Sequence, residues 1–149
     1  MLSAAFGARA HLVPLLARLL LGGVFFAAGA LKIAHPSDLA ATITAMKLGL
    51  PGQLVAFIAV ALPPFEMLLG VYLIGGWLLA WSSVVAGALL GAFILALSSM
   101  LLRGIHANCG CFGVGAEPTT WLTVLRDGSF IIPALYLVWW SRISKDDGA

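Results

Sequence analysis

Charge is what this sequence has least of. Only 9% of its 149 residues are Asp, Glu, Lys or Arg, against 62% hydrophobic residues, and the mean hydropathy is +1.07. A soluble domain carries roughly 25% charge, so a water-facing globule is excluded and an integral membrane protein is indicated. The formal net charge of +2 is scattered, with no run of basic residues. That excludes nucleic acid as a partner and leaves membrane lipid as the surroundings, without a headgroup-binding patch. The length supplies about four spans of ~20 apolar residues each and leaves no room for a second soluble domain. Cysteine is scarce as well, at two residues. Two thiols and one nearby histidine fall short of the four protein ligands of a structural zinc site.

What is present divides into four apolar stretches, which predict an all-α membrane protein with four transmembrane helices in an up-down-up-down bundle. The first, over 12–34, is entered through Pro14 and bracketed by Arg18 and Lys32. A secretory signal is the competing reading, with Arg9 as its basic region and Ala28, Gly29 and Ala30 as its small residues; the full crossing length favours a retained helix. A short interfacial helix is expected next, capped by Ser37 or Asp38 and ending near Met46 before Gly49, Pro51 and Gly52. The second span, 53–75, carries Pro63, Pro64 and Glu66, and Gly75 with Gly76 marks the turn into a third over 77–102. A turn at Trp81, Ser82 and Ser83 is the alternative register. A loop over 104–120 then leads to the fourth span, 121–140.

Tryptophan supports these ends, with Trp77, Trp81, Trp139 and Trp140 in one interfacial belt and Trp121 in the other. Orientation is finely balanced, because Arg9, Arg142 and Lys145 lie on the side of the termini while Lys32, Lys47 and Arg103 lie opposite. The basic C-terminal tail, and the greater use of a thiol pair where disulfides persist, place the termini in the cytoplasm of a prokaryotic inner or plasma membrane. Gly87 and Gly91 satisfy a small-xxx-small pattern that packs helices within one chain or between two, so the oligomeric state stays open.

Cys109 and Cys111, within Asn108-Cys109-Gly110-Cys111-Phe112-Gly113, are the reactive pair. An extended chain puts their Cα atoms about 6.6 to 7.2 Å apart, beyond most of the roughly 4.4 to 6.8 Å range of disulfides. A bond between them requires the chain to bend, which Gly110 permits. So short a ring offers little structural stabilisation and favours a labile, exchanging disulfide. Free packed thiols, and a Cu(I) site completed by His106 or Met100, are the other readings.

Residues 18–32, from Arg18 through Gly29 to Lys32, resemble the opening of the DoxX-like membrane proteins. Pro63-Pro64-Phe65-Glu66 with Leu69-Gly70, then the cysteine motif, then Arg126-Asp127, resemble the related branch of the methylamine-utilisation protein MauE. The resemblance implies a four-helix membrane protein associated with redox chemistry, serving disulfide formation or maturation of a secreted partner together with a thioredoxin-like protein.

The charges within the spans complete the candidate site. Each costs about 2.5 to 3.5 kcal/mol on insertion scales and therefore faces protein or reaches an interface. Counted from the ends of the spans at 1.5 Å per residue, Arg18 lies roughly 9 Å deep and Glu66 roughly 14 Å deep, which predicts an Arg18–Glu66 pair joining the first two helices. Arg126 and Asp127 fall just under the cysteine loop, with Lys32 and Arg103 ending at the same face. Those cations, with His106, would lower a thiol pKa and raise its nucleophilic fraction. The function indicated is thiol–disulfide exchange by an oxidoreductase, with a quinone between the helices or a relay to another membrane protein as the electron acceptor. A non-enzymatic assembly or copper-handling protein, and a small-solute transporter using Glu66, are the alternatives.

Overall fold

A computed structural model describes the backbone of residues 2–105 and 120–146, with side chains over 12–105 and 120–143. Its helices are α1 (Leu2–Ile33), α2 (Pro36–Ala45), α3 (Gly52–Gly75), α4 (Leu79–Leu102), α5 (Trp121–Ser129) and α6 (Ile131–Asp146). Stretches over Leu12–Ile33, Gly52–Gly75, Leu79–Leu102 and Trp121–Ile143 are each long and apolar enough to cross a membrane. At most 33% of any of these windows is buried within the chain. Leu16, Phe57, Leu95 and Leu122 lie among the exposed apolar side chains, so lipid covers what the bundle does not.

The four crossings pack in the ring α1–α3–α4–α6. Their shared core is Leu21, Phe25, Leu69, Leu73, Ala86, Ala134 and Leu137. α1 and α3 make the closest pair because glycine faces glycine. A Cβ added to Gly70 would lie 2.6 Å from the carbonyl oxygen of Gly22, and one added to Gly29 would lie 2.5 Å from that of Pro63. Lipid tails give no hydrophobic drive for one helix to leave them for another, so close backbone approach is what holds such a pair.

The turn between α3 and α4 follows from Gly76, whose φ of +72° is a left-handed conformation that glycine adopts without strain. Its N–H donates to Leu73 O at 3.3 Å and that of Trp77 to Tyr72 O at 3.1 Å, the paired bonds of a Schellman cap. The alternative turn at Trp81–Ser83 does not occur. Ser82 and Ser83 are buried in the first turns of α4, and their hydroxyls donate back to the carbonyls of Leu78 and Leu79.

One local expectation is corrected. α2 starts at Pro36 with His35 as its N-cap, because proline at the first helical position needs no partner for an N–H; neither Ser37 nor Asp38 is the cap. The fourth crossing is a broken helix, interrupted at Phe130 between α5 and α6. Pro133 cannot donate to the carbonyl of Ser129, which removes a rung where a continuous helix needs one.

α2 lies across one end of the bundle. Leu39 and Ile43 pack on Val55 and Ala59 of α3, while Met46, just beyond α2, packs on Leu97 and Met100 of α4. Arg103 fixes this arrangement, donating from Nη2 to Met46 O at 2.7 Å and from Nη1 to Lys47 O at 3.2 Å. The chain leaves α4 at Ile105 and re-enters at Thr120 at this same end.

The glycine contacts give a direct test. Gly70→Ala is expected to destabilise the protein by about 1–3 kcal/mol through overpacking against backbone atoms. Gly23→Ala, with nothing within 4 Å of its added Cβ, is the matched control and should leave stability unchanged or slightly raised. Thermal unfolding in one detergent checks both.

Candidate functional site

Glu66 lies midway along α3, 2% exposed, and its partner is Lys32 of α1. The Lys32 ammonium donates to both carboxylate oxygens, at 2.8 Å to Oε1 and 2.9 Å to Oε2. The same nitrogen stands 4.9 Å from the centre of the Phe93 ring of α4, within cation–π range. Lys32 thus bridges three helices with one charge.

The expected Arg18–Glu66 pair is not formed. Arg18 donates from Nε to Leu73 O at 3.1 Å and from Nη2 to Ile74 O at 2.9 Å, and its guanidinium lies against Gly76. The cause is register. Counting depth from the ends of the apolar runs treats the two helices as starting flush, whereas the glycine contacts set Gly22 level with Gly70 and Gly29 level with Pro63 and Met67. α1 therefore overhangs the end of α3, which puts Arg18 beside the last carbonyls of α3 and brings Lys32 within reach of Glu66.

Asp127 of α5 is 4% exposed and accepts from Arg126 Nε at 3.1 Å, with Nη2 of the same guanidinium 3.1 Å from its Oδ1; the Arg126 side chain is half exposed. Lys32, Glu66 and Asp127 line one cavity of about 40 Å³, whose other walls include Phe25, Phe93 and Phe130. Among the described residues every buried side-chain nitrogen or oxygen has a hydrogen-bond partner.

The sequence-predicted residues therefore separate. Lys32 and Glu66 pair, and Asp127 lines the same cavity; Arg126 reaches Asp127 from outside; Arg103 and Arg18 serve helix ends. Cys109, Cys111 and His106 lie outside the described residues. Met100, offered above as a copper ligand, is fully buried beside Leu97 and Met46. Among the described residues, no three or more His, Cys, Asp and Glu side chains gather as a metal site. Phe93 was not foreseen, because α4 is apolar on every side and no periodicity marks one of its faces.

Breaking the pair leaves a buried charge without its partner, which costs about 3–5 kcal/mol. Lys32→Met is therefore expected to lower thermal stability and yield sharply. Adding Glu66→Leu should recover most of the loss, because the uncompensated carboxylate goes with it. A double-mutant cycle on unfolding midpoints measures both.

Comparison with known proteins accords with this architecture. The family model described as Methylamine utilisation protein MauE matches residues 10–140. A curated Methylamine utilization protein MauE of Paracoccus denitrificans is 34% identical over 122 residues, covering 80% of this chain and 64% of the relative. The chain thus spans less than two thirds of that relative's length. No solved structure matches. The family match runs from within α1 into α6 and takes in Lys32, Glu66, Asp127 and the cysteine motif, so the chain belongs to the MauE family of membrane proteins.

Proposed function

We propose that this protein carries out thiol–disulfide exchange through Cys109 and Cys111 with a thioredoxin-like partner on the extracytoplasmic side, in support of a methylamine-utilisation system. The carrying observation is the position of the Asn108–Gly113 motif on the connection between α4 and α5. That connection begins and ends at the bundle end where α2 lies.

The exchange needs no outside oxidant. With the pair oxidised, a partner thiolate attacks one sulfur, forming an intermolecular disulfide and releasing the other cysteine as thiolate. The partner's second thiolate then displaces the first cysteine. The partner leaves with the disulfide, and Cys109 and Cys111 leave reduced by the same two electrons; the reverse sequence reduces the partner. Arg103 supplies positive charge at this end, which favours the thiolate forms, whereas Lys32 and Arg126 are paired with Glu66 and Asp127. The topology puts both termini on the opposite side, in the cytoplasm under this reading.

Single-cysteine variants test the reading. Cys111→Ser or Cys109→Ser, expressed in the native host, is expected to accumulate a mixed disulfide with a partner, seen as a higher band on non-reducing gels and abolished by reductant. If neither variant traps an adduct while both retain full function in vivo, thiol exchange is not the activity.

A further inference from the structure

We propose that Lys32, Glu66 and Asp127 form a proton-binding site inside the bundle, in which the two carboxylates hold one exchangeable proton and Lys32 pairs with the carboxylate that remains ionised. The side chains come from α1, α3 and α5, and they are 5%, 2% and 4% exposed. Apart from them the cavity wall is apolar, formed by Val24, Phe25, Ala28, Leu90, Phe93 and Phe130.

A helix lock requires only Lys32 and Glu66, which neutralise each other. Asp127 is surplus to that lock, yet it lines the same cavity. With both carboxylates ionised, the three groups carry one net negative charge among aromatic and aliphatic walls. Arg126 offsets it from a half-exposed position, where the field of a cation is weakened by its surroundings. Uptake of one proton makes the triad neutral.

The other ionisable groups near this end point elsewhere among the described residues. α4 presents Leu90 and Phe93 to the cavity, Arg103 is committed to carbonyls of Met46, Lys47 and Ser99, and His35 is exposed on the turn after α1.

The cavity also has room for water. At about 40 Å³, against roughly 10–15 Å³ for one water, it has room for about three or four. Two of the three ammonium donors of Lys32 are engaged by Glu66, and the Phe93 ring accepts no proton. A proton arriving through cavity water forms an O–H bond on one carboxylate; Lys32 keeps or takes the other, and the proton returns to water by the same path. The inference is independent of the thiols.

Infrared difference spectroscopy of the full chain in lipid nanodiscs, titrated from mildly acidic to alkaline pH, tests it. The expected result is a carboxylic-acid stretch that grows on acidification, above the range of solvated acids such as exposed Asp38, and that is lost or shifted in Glu66→Gln, Asp127→Asn or both. A variant that fails to fold leaves the wild-type spectrum to decide. Absence of a titrating band above the solvated range in the wild type, or a band unchanged in both folded variants, overturns the proposal.

Discussion

Backbone contact between α1 and α3 is the constraint on which the other features rest. Gly22, Gly29 and Gly70 remove the Cβ atoms that would hold the helices apart, and the contact then fixes how far each lies along the other. Lys32 and Glu66 inherit their relative depth from that register. Lys32 sits nearly one turn beyond Gly29, and side chains lean toward the N-terminus of their own helix, so its stem runs back to the level of Glu66. An ion pair with both oxygens engaged is therefore a consequence of glycine packing. In an apolar interior, where an unmatched charge is expensive, it also penalises any slip of α1 against α3.

The cations divide their work by geometry. The guanidinium is a planar fork, and both arginines that finish helices use it on consecutive backbone carbonyls: Arg18 on Leu73 and Ile74, Arg103 on Met46 and Lys47. The last carbonyls of a helix have no intrahelical donor and carry its negative dipole end, so a cation there satisfies both demands. Lys32 instead offers a compact ammonium, which fits between two carboxylate oxygens and one ring where a fork would not. Arg18 and Arg103 are thus structural terminators at opposite ends of the bundle. The cationic setting expected around the cysteine segment is correspondingly smaller than a count of basic residues suggests.

The four crossings were legible because length and hydropathy alone define them, and the α3–α4 turn was legible because Gly75-Gly76 is a cap signal that no flanking residue contradicts. The start of α2 and the break at Phe130 also had signals in Pro36 and Pro133, outweighed in the reading by the polar Ser37-Asp38 pair and by the continuous apolar run. The partner of Glu66 had no such signal. Depth along one helix can be counted from sequence, but the offset between two helices is set by which small residues touch, and the chain has glycines on α1 and α3 that do not touch anything. Gly23 and Gly52 meet nothing within 4 Å, while Gly22 and Gly70 meet each other. Only the packing tells them apart.

The two ends of the bundle are built for different purposes. At one, Arg18 clasps the last carbonyls of α3, Gly76 closes the cap, and Tyr72 meets Trp77 edge-on at 6.3 Å between ring centres. Toward the other lie the Lys32–Glu66–Asp127 cavity, the crossing helix α2, and both ends of the segment that carries the cysteines. Transport by rocking requires the helices that flank a binding residue to separate alternately on the two sides. α1 and α3, which flank Glu66, are joined through backbone at three glycines, through Lys32 on one side and through Arg18 on the other. A pair fastened from Arg18 to Lys32 is a poor moving part and a good foundation, which suits the proposed exchange at one face with a partner that comes to it.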